Sequence, residues 1–395
     1  METLIELYGE RATENIIGPE IFMPKRVVYL CLPEVAQDKA KQNILRNFFA
    51  HRGLSFEIEF IESSFYRTDK ILTQLRKIKD KYPDCALDVT GGTDAALIAA
   101  GMFCSEANVP TFTYSRKKNC FYDINQASFA ENIPCKLNYI VEDFFLMTGG
   151  ILREGRVDNN ILTDYEDSYE AFFDVFLHHR KSWPAAVSYF QRASRGNDPY
   201  APLKTTTSYY KNENHPDTPA VNLDLLQELE KIGYITNLHI EEGKSIQFSF
   251  ADHQRRVWLR DVGSVLELYM YHICKKSAIF NDVISSAIVD WDSSIGNKSI
   301  RNEIDVVATR GVVPLFISCK ACDIKTVALN ELAIIKDRFG GKGAKAVIVT
   351  TEHCNSMARH RAAQLGIAVI DIEEFETGDI EERIKIIMKA TPESS

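Results

Sequence analysis

A chain of 395 residues exceeds what one hydrophobic core usually supports, so two or three domains are expected. With 45% apolar and 26% charged residues, 20 Gly and 13 Pro, it is an ordinary globular composition that excludes collagen-like and broadly disordered classes. A net charge of −9 argues against indiscriminate coating of nucleic acid, yet from Arg255 to Arg361 there are 16 Lys plus Arg against 11 Asp plus Glu, a basic segment suited to a polyanion.

The opening METLIELYGERATEN carries early acids and no long apolar run, which is unlike a secretory signal. RVVYLCL predicts a buried strand, DKAKQNILRNFFAHRG a helix ended by Gly53, LSFEIEFI a strand, TDKILTQLRKIKDKYP a helix and ALDV another buried strand. TGGTDAALIAAGMFCSEAN turns tightly and becomes a helix, and PTFTYSR and NCFYDI follow as two strands. This alternation predicts an α/β, Rossmann-like domain over residues 1–140, with a mostly parallel sheet covered by helices. Its longest apolar stretch, Ala95 to Cys104, falls far short of the roughly twenty residues of a membrane span.

Residues 141–250 read as a helical linker. EDFFLM and YEAFFDVFLHHR predict packed helices, and Gly196 to Pro219 an exposed loop. NLDLLQELEKIGY is a helix capped by Asn222, and ITNLHIEEGKSIQFSF is two strands around Glu242-Gly243, the outline of a winged-helix unit. From residue 251 to 395 helices and strands mix again, with GSVLELYMYHICKK a helix, NEIDVVAT and VPLFISCK strands, ALNELAIIKDRFGG a helix, and AKAVIVT and AVIDI strands. Nine cysteines scattered in apolar runs point to a reducing cytoplasm.

The sharpest chemical pattern is NEIDVVATRGVVPLFISCK. Period-two alternation puts Glu303 and Asp305 on one face with Ile304 and Val306 on the other, and Ser318 and Lys320 on one face of the next strand. A turn at Arg310-Gly311 makes these an antiparallel hairpin that sets carboxylates beside a lysine. Carboxylates attract a hard divalent cation such as Mn or Mg, which polarises a phosphodiester, while the lysine stabilises charge developing on the phosphorane. Glu267, an acid in an apolar helix, is a natural extra ligand, and Glu331 can supply one from the helix after the lysine strand. A second pattern is DVTGGTDAA, in which a buried strand meets Gly91-Gly92 and a helix start that suits phosphate; Thr90, Thr93 and Asp94 can cap that helix and contact sugar hydroxyls. His178-His179 shows no partner at metal spacing, and Arg116-Lys117-Lys118 is a turn tip that either is solvated or faces an anion.

Glu267, Asp305 and Ser318-Cys319-Lys320 resemble the PD-(D/E)xK pattern of the restriction-endonuclease-like superfamily. Ser318 departs from it by standing where an acid belongs, so a ligand comes from elsewhere, Glu303 or Glu331, or is water. The order GERATENI, RVVYL, DVTGGTDAA, FSFADHQRRVWLRDVGSVLELYMY and NEIDVVATRG with FISCK resembles the CRISPR-associated, cyclic-oligoadenylate-activated nucleases of the Card and Can group. That resemblance implies an N-terminal sensory CARF domain, a C-terminal restriction-endonuclease-like domain, and a homodimer that binds one cyclic tetra-adenylate across its two-fold axis. Ligand contacts then fall on Glu10, Arg11, Ala12, Thr13 and Asn15, expected ahead of the first Rossmann strand, and on Thr90, Gly91, Gly92, Thr93 and Asp94. Asn15 is expected to read an adenine or ribose. The substrate is DNA or RNA. A ligand-responsive DNA-binding regulator with a decayed nuclease hairpin is the alternative, and an enzyme that degrades its own messenger is a third.

Overall fold

The computed structural model describes residues 1–64, 66–153, 158–194, 202–208, 221–291 and 300–389. Most of the predicted 196–219 loop lies outside the described residues. Among those residues no helix is long and apolar enough to cross a membrane.

The first sheet begins with a strand that the sequence pattern conceals. β1 (Thr3–Leu7) has Glu6 inside a short apolar run, yet all five of its residues are buried, because it lies in the sheet interior between two neighbours. There follow α1 (Ile17–Phe22), β2 (Arg26–Cys31), α2 (Pro33–Ala36), α3 (Lys39–His51), β3 (Glu57–Glu62), α4 (Thr68–Lys81), β4 (Cys85–Asp88), α5 (Asp94–Ala107), β5 (Thr111–Ser115) and β6 (Cys120–Asn125). The order is β3-β2-β1-β4-β5-β6, parallel except for β6, the hairpin partner of β5. Val27, Tyr29, Phe48 and Phe112 fill one face and Ile5, Val28, Leu75 and Phe103 the other, which is why the strands read as continuous apolar runs. Glu10 to Asn15 therefore follows the first strand instead of preceding it. From β1 the chain builds outward to β2 on one side and later to β4 on the other, so the loops after β1 and β4 frame the crevice where such sheets bind ligands.

The middle segment comprises α6 (Val141–Leu146), β7 (Ile151–Arg153), α7 (Asn159–Leu162), α8 (Tyr169–His178), α9 (Trp183–Ala193), β8 (Lys204–Ser208), α10 (Leu223–Lys231), β9 (Ile235–Glu241) and β10 (Ser245–Phe250). Asn222 caps α10 by accepting from Asp224 N at 2.9 Å, and Gly243 at φ +71 turns the β9–β10 hairpin, both as predicted. The hairpin gains a third strand, β8, from within the stretch read as loop. Its KTTTS sequence is rich in β-branched threonine, which suits a pleated edge.

The C-terminal part contains α11 (His253–Leu259), α12 (Ser264–Lys276), β11 (Asp282–Asp290), β12 (Arg301–Arg310), β13 (Val313–Lys320), α13 (Thr326–Ile335), β14 (Lys345–Thr350), α14 (Ser356–Gln364), β15 (Ala368–Ile370), α15 (Ile372–Thr377) and α16 (Ile380–Lys389). Its sheet runs β15-β14-β13-β12-β11-β7, so Ile151–Arg153 of the segment read as linker forms its edge. Phe172, Phe176 and Trp183 of the middle segment bury in one core with Trp258, Met270 and Ile317. That shared core makes the middle segment a buttress of the last domain, each buried aromatic contributing on the order of 2–3 kcal/mol.

Candidate active site and ligand cleft

Gly311, at φ +58, turns β12 into β13, and the pairing of Val306 with Ile317 sets Asp305 beside Ser318. Asp305 Oδ2 accepts from Cys319 N at 2.6 Å, Ser318 Oγ at 3.3 Å and Lys320 Nζ at 3.4 Å. The strict alternation expected of β12 fails at this point. Ile304 packs in the layer of Leu329 and Leu332 from α13, whereas Val306 packs in the opposite layer with Leu266 and Met270 from α12. On β11, Ser286 takes φ +53 at the same level, an irregularity between two covered faces, and its Oγ donates to Glu303 Oε1 at 2.6 Å.

Glu267 reaches this group from the first turn of α12. Burial, then the nearby charges of Asp305, Asp261 and Glu303, push its carboxyl up to about 8, and Lys320 pulls the other way. Asp261 is an acid that the sequence reading overlooked. Its Oδ1 accepts from Gly263 N at 2.7 Å and Ser264 N at 3.2 Å, and an Asp two residues before a Gly-Ser helix start was the available sign. A Cβ on Gly263 would lie 2.9 Å from Glu267 Oε1 and 3.5 Å from Asp261 Oδ1, so the glycine leaves room for both acids. Glu331 stands apart: it is exposed on α13, takes a 2.8 Å hydrogen bond from Asn302 Nδ2, and is absent from the charges acting on Glu267. Asp305 touches Lys320, and Asp261, Glu303 and Asp305 all act on the charge of Glu267; these are oxygen donors of the kind a hard divalent cation takes, although among the described residues no three of them bring ligand atoms within 4.8 Å of one another.

The second gathering of acids and imidazoles lies elsewhere. The structure gives His178 and His179 a partner that chain distance hid, Glu228 of α10, with ligand atoms within 4.8 Å of one another. Because Asn222 Oδ1 is taken by Asp224 N, its Nδ2 faces His179 Nδ1 at 3.3 Å, and that nitrogen accepts. His179 Nε2 lies 3.3 Å and His178 Nδ1 3.1 Å from Glu228 Oε1, so the two imidazoles and the carboxylate join α8 to α10.

In the N-terminal domain, the two candidate ligand loops touch backbone to backbone. A Cβ on Gly91 would lie 2.5 Å from Leu7 O and 3.0 Å from Gly9 N, so only glycine allows the approach. Thr93 caps α5 by accepting from Ala96 N at 3.4 Å, bringing the positive end of that helix to the crevice. Thr90 does not cap it; its Oγ accepts from Tyr114 N at 2.8 Å. Asp94 stands exposed in the first turn. Asn15 is buried, and both of its amide hydrogens are taken, by Gly9 O at 3.0 Å and Arg11 O at 3.2 Å, while Gly9 N donates to its Oδ1 at 2.8 Å. It builds the loop and has no donor left to read a base. Arg116, read as a turn tip, reaches the same loop: its Nη2 donates to Thr13 Oγ1 at 2.8 Å and Glu14 Oε1 at 3.4 Å. Beneath the loops Glu6 and Asp88 are cross-strand neighbours, fully buried, and burial raises Asp88 to about 7 and Glu6 well above the usual carboxylate range.

With this geometry in place, residues 252–390 match the family of Card1-like endonuclease domains. Over that third the chain resembles Card1-like endonuclease domains. The fold of the whole chain follows the crystal structure of protein VC1899 from Vibrio cholerae, with TM-score 0.77, 15% identity and 98% of each chain covered. It also follows Can2 from Sulfobacillus thermosulfidooxidans in complex with cyclic tetra-adenylate, with TM-score 0.70, 17% identity, and 99% of this chain and 100% of that one covered. A type III CRISPR defence DNA nuclease activated by cyclic oligoadenylate matches with TM-score 0.53 and 12% identity; 99% of this chain covers 52% of it, so the chain spans about half that length. No curated protein matches in sequence. The resemblance to the Card and Can group therefore holds, through the Card1-like domain by family and through the remainder by fold.

Proposed function

We propose that this protein is a homodimeric nuclease of type III CRISPR antiviral defence, gated by a cyclic oligoadenylate and hydrolysing phosphodiester bonds of DNA or RNA with a bound Mn or Mg ion. Cyclic tetra-adenylate is the expected messenger. The observation that carries the reading is the meeting of Asp305, Lys320 and Glu267 inside a Card1-like domain, on a chain folded like one solved with cyclic tetra-adenylate.

In this reading Glu267 and Asp305, with Glu303 and Asp261 acting on the same charge, would hold the cation, whose chemistry there would be polarisation of the phosphodiester and acidification of an attacking water. The Cys319 N–H and the Ser318 hydroxyl aim the Asp305 carboxylate from behind. Lys320, about one-third exposed at 35%, is placed to meet the charge that develops on the phosphorane. Glu267, its carboxyl raised to about 8, would release its proton on holding a cation.

On the sensor side, Arg11, Thr13, Gly92 and Thr93 are the proposed phosphate contacts. A second copy is supported by α5, whose Leu97, Ile98 and Met102 are 40%, 60% and 47% exposed directly after the Gly91-Gly92 turn. A two-fold pairing there gives each contact to a two-fold messenger twice. The nine unpaired cysteines support a reducing, cytoplasmic setting.

The test is incubation of labelled single-stranded and duplex DNA and RNA with Mn, with and without cyclic tetra-adenylate. Messenger-dependent fragments are expected. Messenger-dependent retardation with no fragments would instead favour a DNA-binding regulator that uses α10 and the β9–β10 hairpin.

A further inference from the structure

The cleft onto which Glu10, Arg11 and Thr13 open is not walled by the sensor domain alone. It measures about 600 Å³, and its far side is Arg338, Gly340 and Gly341 of the Card1-like domain. Arg338 and Gly340 belong to the π-helical turn Lys336–Gly340 that continues α13, a kind of irregularity concentrated at functional places, and Gly341 follows it. Gly341 sits at φ +61 and ψ −161, a backbone region essentially reserved for glycine. It rests on the Arg11 stem, where a Cβ would stand 3.6 Å from Arg11 Cδ. Gly343 faces the other arginine of the loop, a Cβ there standing 3.8 Å from Arg116 Nη1.

Both arginines are held by one acid. Arg11 Nη1 donates to Glu14 Oε1 at 3.0 Å, and Arg116 Nη2 donates to the same oxygen at 3.4 Å. A phosphodiester is the chemical equivalent of that carboxylate and can replace it on two guanidinium groups. The turn is in turn anchored by Arg338 Nη2, which donates to Thr148 O at 3.1 Å and Trp291 O at 3.4 Å. From it α13 leads back to the end of β13, where Lys320 stands.

We infer that the messenger site is bipartite: phosphates of the cyclic oligoadenylate take Arg11 and Arg116 from Glu14, and the Gly340–Gly343 turn seated on those arginines moves with them. The nuclease domain thus reads the ligand through the two arginines on which its turn is seated. The inference rests on the reading of residues 1–140 as the messenger sensor.

The experiment is hydrogen exchange on the full-length protein with cyclic tetra-adenylate, with linear tetra-adenylate as control, together with messenger affinity of Gly343→Val. Exchange in residues 336–343 is expected to change together with residues 8–16. G343V, which sets a branched side chain against Arg116 while changing no residue of 1–140, should bind at least about fivefold more weakly while melting as the parent does. Exchange changes confined to residues 1–140, or G343V affinity within about twofold of the parent, would overturn the bipartite site and leave the sensor intact. An unmodified protein that takes no cyclic tetra-adenylate at all would overturn the sensor reading itself, and this inference with it.

Discussion

Ser318 Oγ donates a hydrogen bond to Asp305 Oδ2 at 3.3 Å, at the position where the (D/E)xK pattern carries an acid. The hydroxyl orients the aspartate but adds no negative charge to the site. Ser318→Glu should therefore tighten Mn binding by about tenfold, the scale of one added charged ligand contact. Without metal it should lower the melting temperature, because a fifth carboxylate joins four. Isothermal titration with Mn and metal-free melting read the two effects; unchanged Mn affinity would show that the acids already present complete the site.

Asp305 gathers three donors on one oxygen, and Lys320 is among them. Asp305→Ala and Lys320→Ala should each reduce messenger-dependent cleavage by about a hundredfold or more, the usual loss on removing one preorganised charge-stabilising group. Messenger binding should be retained, since both residues lie outside the sensor sheet. Fragment yield and filter binding check this, and surviving cleavage refutes the roles given to both.

Glu267 sets the pH behaviour of the site. Its carboxyl is raised to about 8, above an unfolded value near 4.5, so the folded chain binds the extra proton between these limits. The metal-free stability tied to this group is present below about pH 4.5 and is lost as pH rises toward 8. Glu267→Gln should therefore raise the metal-free melting temperature at pH 8, by about 2–4 °C for each kcal/mol relieved. Mn affinity of the parent should weaken as pH falls from 8 to 6, with proton release on binding that differs between buffers of different ionisation heat. An E267Q melting curve that superimposes on the parent at pH 8 would contradict this assignment.

Gly91 is where the ligand loops depend on backbone clearance. A methyl group there would meet Leu7 O at 2.5 Å and Gly9 N at 3.0 Å, neither of which is a flexible side-chain end. Gly91→Ala should separate the two loops and weaken cyclic tetra-adenylate binding by at least about tenfold, while far-ultraviolet circular dichroism stays close to that of the parent. Parental affinity in G91A would mean that the loops do not act as one site.

Much of the architecture is written in local pattern. Continuous apolar runs marked β2, β4 and β14 because both sheet faces are covered, and caps such as Asn222 marked helix starts by chemistry between neighbouring residues. The same local logic picked out Glu267, Asp305 and Lys320 from an acid in an apolar helix and from alternation along two strands. It missed β1, since Glu6 interrupts the run and its burial depends on Asp88 and neighbouring strands far along the chain. Arg116 joins the Glu14 loop across 102 residues, and Glu228 meets His178 across 50, separations that no periodicity encodes. The hairpin's alternation predicted one shared face for Ile304 and Val306, and the irregular pairing around Ser286 sent them to opposite layers. Side-chain period and capping are fixed by bonds between near neighbours and so survive in the order of residues. Which acids crowd Glu267, which loop holds Arg116, and which turn after α13 walls the cleft beside Arg11 are settled by packing between distant segments, and those contacts exist only once the chain is folded.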